Sequence, residues 1–175
     1  MNKKKGLFIS FEGPEASGKS SQILLLQKYL TTKKISFITT REPGGTKLAE
    51  SLRNLILKIK SDINIDEEIL MLMAARSHHI NNVIKPALDK GILVISDRFA
   101  DSTFVYQGYV NNFGIQKAKS LHKNILNNFV PHKTFLFNLS SSKIIARLKK
   151  RKSKNKYDIL ERNFHDQVNR GYELI

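Results

Sequence analysis

Two glycines five positions apart, followed at once by a lysine and a serine, separate an apolar run from an amphipathic one. The string is Gly13-Pro14-Glu15-Ala16-Ser17-Gly18-Lys19-Ser20; "GLFISFE" precedes it and "SQILLLQKYL" follows. The first run predicts a short buried strand. The second carries Ile23, Leu24, Leu26, Gln27 and Leu30 at helical spacing. Glycine and proline break helices, so a loop must stand between them. Glycine lets the backbone curve until its N–H groups converge. The following helix adds the positive end of its dipole. This is the pattern G-x-x-x-x-G-K-[ST] in its strand–loop–helix setting. It predicts a loop that cradles the phosphates of a nucleoside triphosphate. All eight residues from Gly13 to Ser20 belong to that expected site, with Lys19 reaching the β- and γ-phosphates and the Ser20 hydroxyl a ligand for Mg²⁺.

The rest of the chain repeats the strand–helix alternation. "ISFITT" (35–40), "GILVISDR" (91–98) and "HKTFLFNLS" (132–140) read as strands. Helices are expected over "TKLAESLRNLILKI", from Asp66 to about Asp89 with a disturbance near Pro86, and twice between Asp101 and Asn128. The remainder reads as helix interrupted by a basic stretch. Alternation of this kind predicts one α/β domain over residues 1–175, with a mostly parallel sheet between two helical layers. Ligands then bind at the carboxyl ends of the strands. The loop at 13–20, the turn at 41–46, and Asp97 with Arg98 all fall there.

Composition limits the classes left open. With 175 residues and 41% hydrophobic residues the chain can bury a core. It has no cysteine, which excludes disulfides and thiolate metal sites. Its apolar runs are far shorter than a membrane span, and "MNKKKGLFIS" lacks the pattern of a signal peptide, so a cytoplasmic location without membrane partners is expected. The net charge of +15 favours polyanionic ligands and is concentrated in "KIIARLKKRKSKNK" (143–156). No N-K-x-D string is present to read guanine. The histidines lack metal-ligand spacing, and the aromatic residues read as core, not as a nucleic-acid stacking platform.

Downstream of the second and third strands, "TTREPGGTKLAESLR" and "SDRFADSTFVYQG" carry the remaining polar chemistry. Asp97 is placed to act beside a metal or as a proton acceptor, and Arg98 to clamp a phosphate. Arg76, in "MLMAARSHH", stands on a helix among apolar neighbours, as a base-recognition group would.

With "FEGPEASGKSSQ", "REPGGTKLAESLR", "AARSHH", "DRFADSTFVYQG" and "NFHDQVNRGYELI" in this order, the chain resembles the thymidylate kinase family over nearly its whole length. The resemblance implies a P-loop NTPase fold, three-layer α/β/α with a helical lid. It implies transfer of the ATP γ-phosphoryl to dTMP with Mg²⁺, and a homodimer packed through helices. By position, Arg53 and Arg98 look like the residues that hold the dTMP phosphate, and Arg76 like the one that meets the thymine edge. Ser102 and Gln107 fall near the base, and Tyr106 beside the sugar 2′ position. Glu15 resembles the acid near the 3′-hydroxyl and the Mg²⁺ water shell, and Asp97 resembles the Mg²⁺-associated aspartate, acting partly through water.

Some members of the family carry a basic residue within the loop, where this chain has Ala16. The resemblance therefore assigns the transition-state charge to Arg147 and Arg151 of a lid over about 141–156, with Lys149 a lesser candidate. Their spacing predicts one shared helix face. Leu72 stands where the family commonly has a phenylalanine stacked on thymine. Family members also continue past "GYELI" with a further strand and helix, so an exposed sheet edge is expected if residue 175 is the natural end. Two other readings stay open from the sequence: a kinase for a different nucleoside monophosphate, and a nucleic-acid-binding derivative of the fold.

Overall fold

A computed structural model of the protein describes residues 5–58, 62–152 and 155–175. Four strands form one wholly parallel sheet: β1 (Phe8–Glu12), β2 (Phe37–Arg41), β3 (Leu93–Asp97) and β4 (Lys133–Leu136), in the order β2-β3-β1-β4. The two central strands are the most apolar, as strands covered on both faces must be. Alternation splits their side chains between two cores. Phe8 and Val94 join Ile69, Met73, Ile84 and Phe99 on one face. Ile9, Phe11 and Ile95 join Ile23 and Leu30 on the other. Phe8 is fully buried, edge-on to Phe99 and stacked on Phe129. Truncating such a side chain to alanine costs ~3–5 kcal/mol.

The first core is roofed by α3 (Ile65–His79) and α6 (Ile115–Leu126), the second by α1 (Lys19–Thr32). Helix α2 (Lys47–Ile56) packs on α3. Asn64 opens α3 with a reciprocal capping box: its side chain accepts from Glu67 N–H while Glu67 accepts from Asn64 N–H. The disturbance expected near Pro86 lies just upstream of it, as a π-helical segment at Ile80–Ile84 that leads into α4 (Lys85–Asp89). Proline cannot donate to the carbonyl one turn earlier, and its ring crowds it, so the preceding turn widens. The first of the two helices expected after Asp101 is also irregular. Helix α5 (Ala100–Thr103) passes directly into a π-helical segment at Phe104–Val110.

Helix α7 (Ser141–Lys149) and helix α8 (Arg162–Leu174) pack together beyond β4. Strand β4 lies at an edge of the sheet with all four residues exposed, in keeping with the expected bare edge. No helix among the described residues is long and apolar enough to cross a membrane.

Candidate functional site: two clefts that meet at a glycine loop

The loop between β1 and α1 owes its path to residues that tolerate positive φ: Gly13 at 133°, Ala16 at 52° and Gly18 at 104°. At Gly13 a Cβ would lie 2.3 Å from the Phe137 carbonyl oxygen, so only glycine fits against the end of β4. The N-cap of α1 is Gly18, which has no side chain to cap it, and no acid stands in the first turn, which leaves the N–H groups and dipole directed at the loop. The Lys19 ammonium donates to the carbonyls of Gly13 (2.9 Å) and Pro14 (2.7 Å) and to Ser17 Oγ (3.3 Å), spanning the loop it is expected to serve. Burial, and then the positive charge of Arg98, lower its pKa to about 7. Ser20 Oγ donates to Asp97 Oδ2 at 2.9 Å, which joins the loop to the end of β3. Ala16, Ser17, Gly18, Lys19, Ser20, Arg147 and Arg151 line one cleft here.

A second cleft, of ≈ 570 Å³ including its open mouth, lies on the other side of the loop. Glu15, Arg53, Leu72, Arg76, Arg98, Ser102, Tyr106 and Gln107 all line it. The residues assigned by resemblance to one nucleotide are thus gathered in one place, although they come from five segments of the chain.

Arg98 lines the second cleft and reaches the backbone of the loop that borders the first. One guanidinium nitrogen donates to the Gly13 carbonyl (2.8 Å), Ser102 Oγ (3.0 Å) and Tyr172 Oη (3.1 Å), and the other to Glu15 Oε1 (2.9 Å). Its backbone is left-handed, at φ 74°, a conformation that costs a non-glycine residue on the order of 1–3 kcal/mol. Surrounding bonds hold it there. Arg98 N–H donates to the Phe11 carbonyl, Ser96 Oγ to the Arg98 carbonyl, and Phe99 N–H to Glu12 Oε1.

Glu12 is itself buried, with no direct cation partner among the described residues. Ser102 Oγ (2.6 Å) and Tyr172 Oη (3.1 Å) donate to its second oxygen. Burial foremost, then the charge of Asp101, raise its pKa. The two hydroxyls therefore stand between a buried carboxylate and the Arg98 guanidinium. Ser102, expected near the base, lines the cleft but commits its hydroxyl to this arrangement. Tyr106 Oη donates to Glu15 Oε2 at 2.6 Å, and its ring lies beside the Arg98 guanidinium.

Arg76 is held by three interactions. Its Nε donates to Glu42 Oε2 (2.6 Å), and one terminal nitrogen donates to Thr103 Oγ1 (2.8 Å) and the Phe99 carbonyl (3.3 Å). The other terminal nitrogen, Nη1, is buried and has no partner among the described residues. A buried donor without a partner is costly, and such an atom beside a cleft is a ready contact for a ligand acceptor. Glu42 also meets His79 Nδ1 at 2.9 Å. Burial alone would raise the Glu42 pKa, but Arg76 and His79 hold it below the ordinary carboxylate value. Arg53 donates to the Pro43 carbonyl at 2.8 Å.

The basic stretch departs from the expected single helix face. Helix α7 ends at Lys149, so Arg147 lies on it and Arg151 lies beyond. Arg147 Nη1 donates to the Ala16 carbonyl at 2.8 Å. Arg151 turns instead to the buried carboxylate of Asp158, at 2.9 and 3.0 Å. That buried anion also accepts from Asn155 N–H, and it draws the arginine out of the helical register. Ser153 and Lys154 of the expected lid lie outside the described residues.

The sequence reading missed Glu12, Glu42, Glu68, Tyr157, Asp158 and Tyr172. The acids among them had a visible signal, since carboxylates in or beside apolar runs must find partners. Tyr157 and Tyr172 read as core aromatics. Their rings are packed, but their hydroxyls reach the second cleft and the Glu12 arrangement respectively.

A sequence model described as thymidylate kinase matches residues 11–175 of the chain. The chain is 41% identical to the thymidylate kinase of Ruthia magnifica subsp. Calyptogena magnifica over 170 residues, which is 97% of this chain and 83% of that protein. It is also 41% identical to the thymidylate kinase of Mycoplasma capricolum over 173 residues, 97% and 81% of the two lengths. Its fold is similar to the crystal structure of thymidylate kinase from Ehrlichia chaffeensis, with a TM-score of 0.75, 32% identity, and coverage of 97% of this chain and 85% of that one.

Proposed function

The chain belongs to the thymidylate kinase family, and from that premise we propose that it passes the γ-phosphoryl of ATP to dTMP, giving dTDP and ADP, through the two clefts described above. One observation carries the assignment of residues. Arg98 touches both the Gly13 carbonyl of the phosphate loop and Glu15 of the second cleft, so a phosphate held by Arg98 lies next to one held by the loop.

Each side chain then has a role set by its surroundings. The loop N–H groups and Lys19 bind the donor phosphates. Arg53 and Arg98 hold the acceptor phosphate in line with them, so that transfer is mainly a matter of positioning. Arg76 offers its unpartnered Nη1 to a carbonyl oxygen of the base, and Leu72 packs against the ring. Tyr106, pinned to Glu15, fills the space beside the sugar and disfavours a 2′-hydroxyl. Charge that spreads over the transferring oxygens is met by Arg147, which already reaches the loop at Ala16. Arg151 supports it once released from Asp158.

Ser20 and Asp97 fit Mg²⁺. They are two hard oxygen donors already within hydrogen-bond distance of each other, beside the donor loop. No group of three or more His, Cys, Asp or Glu that could hold a metal occurs among the described residues, as suits an ion that takes much of its coordination from phosphates and water. Bound there, Mg²⁺ would supply charge neutralisation at the phosphates.

One domain carries both clefts, with residues 141–156 acting as the cover over ATP. The assembly is a homodimer. Leu48 and Leu55 of α2 and Leu70 of α3 are about half exposed on two helices that pack together, a surface suited to a second copy.

A coupled assay of nucleotide phosphorylation with ATP and Mg²⁺ tests the function. Preference for dTMP over CMP, UMP and AMP is expected, and loss of most turnover in Arg98→Ala. Preference for another acceptor would overturn the reading. So would salt-sensitive DNA binding without phosphoryl transfer.

A further inference from the structure

Glu68 is a carboxylate on α3 with a side chain only 5% exposed, bonded to two residues that line the second cleft, Gln107 and Tyr157. A buried carboxylate needs partners, and Glu68 has three. Gln107 Nε2 donates to its Oε1 at 2.6 Å, Tyr157 Oη donates to the same oxygen at 2.8 Å, and the Lys156 ammonium pairs with Oε2. Gln107 Nε2 also lies 3.2 Å from Tyr157 Oη. These contacts leave the amide a single orientation. An ionised carboxylate can only accept. The one hydroxyl proton of Tyr157 is directed at Glu68, so towards the amide that oxygen can only accept. Burial, followed by the charge of Glu68, raises the Tyr157 pKa well above its ordinary value and keeps that proton in place. Both neighbours therefore demand the NH₂ end of Gln107. The Oε1 end has no hydrogen-bond partner among the described residues, and Gln107 lines the cleft.

We propose that Glu68 is a positioning residue for acceptor choice: it fixes Gln107 with its carbonyl oxygen facing the cleft, and so selects a pyrimidine whose ring edge carries an N–H donor. This rests on the acceptor-site reading above. With Arg76 Nη1 as donor and Gln107 Oε1 as acceptor, the cleft offers the complement of a thymine or uracil edge, where a carbonyl oxygen adjoins a ring N–H. A cytosine edge, with an amino donor beside a bare ring nitrogen, would face like against like. Sites that hold a polar group in a fixed sense discriminate strongly, because the wrong ligand leaves buried groups unpaired.

The test compares kcat/KM for dTMP and dCMP in the native enzyme and in Glu68→Gln. A neutral amide at 68 can donate as well as accept, which lets Gln107 turn over. The dTMP-to-dCMP ratio is expected to fall about tenfold or more. The double variant Glu68→Gln/Lys156→Met removes the ion pair as a unit and carries the same expectation if the single variant does not fold. A ratio unchanged in the folded variant, with both nucleotides weakened alike, would make Glu68 merely structural and overturn the inference alone. A native enzyme that prefers dCMP would overturn the acceptor-site reading itself.

Discussion

Arg147 donates a hydrogen bond of 2.8 Å to the carbonyl oxygen of Ala16, the loop position whose side chain carries no charge. A second cation, from α7, thus reaches the loop beside Lys19. Replacing Arg147 with alanine is expected to lower kcat ~100-fold or more while changing KM little, since the charge it meets develops during transfer. Arg151→Ala is expected to have a smaller effect, because Asp158 holds that guanidinium. Steady-state kinetics at saturating ATP and dTMP separates the two. Full activity in Arg147→Ala would remove α7 from the mechanism.

The Lys19 ammonium, lowered to about 7 by burial and by Arg98, makes stability depend on pH. Between pH ~7 and the ordinary lysine value of ~10.4, the unfolded chain binds a proton that the folded protein does not, so stability rises with pH across that window. Below it, both states are protonated and the cost of a buried charge is felt in full. Urea titrations at a series of pH values should show this rise in the native enzyme and a flatter profile in Lys19→Met. A polyphosphate in the loop draws the proton back. Calorimetry at pH 8 in buffers of different ionisation enthalpy should therefore report proton uptake on ATP binding.

Glu42 neutralises Arg76 where neither is exposed. Glu42→Gln leaves a guanidinium buried without its anion, which costs ~3–5 kcal/mol. Equilibrium denaturation should register this loss. In the native protein the Glu42 pKa lies below its unfolded value, so its contribution is present above the unfolded pKa of ~4.3 and disappears as pH falls through the folded one.

Leu72 is buried and lines the second cleft close to the Arg76 end of α3. An aromatic ring there would stack on a base better than leucine does, by ~0.5–1.5 kcal/mol. Leu72→Phe is expected to tighten dTMP binding by a factor of ~2–10. Titration calorimetry measures it, and equal affinity in the two proteins would argue against a base at that position.

The strand–loop–helix opening was legible because its signals are local. Gly13 and Gly18 mark the loop, the apolar run before them marks β1, and the spacing of Ile23 and Leu30 marks α1. Arg53, Arg76, Arg98 and Tyr106 could be assigned to one cleft only through the resemblance, because nothing local joins them. The carboxylates that organise them were missed for a related reason. Glu12 finds Tyr172 across 160 positions and Glu68 finds Tyr157 across 89, distances at which no periodicity operates. The end of α7 was hidden too. The cations run on past Lys149 without a break, and what turns Arg151 away is Asp158, whose burial depends on the tertiary fold.

Tyr172 shares the Arg98 guanidinium with Gly13, although the loop and α8 are made far apart in synthesis. A nascent chain on the ribosome could shape its glycine loop early. It could not complete the bracing of the arginine until α8 had emerged from the exit tunnel. The full set of contacts on Arg98 thus closes only when α8 has been made, long after the loop residues have left the ribosome.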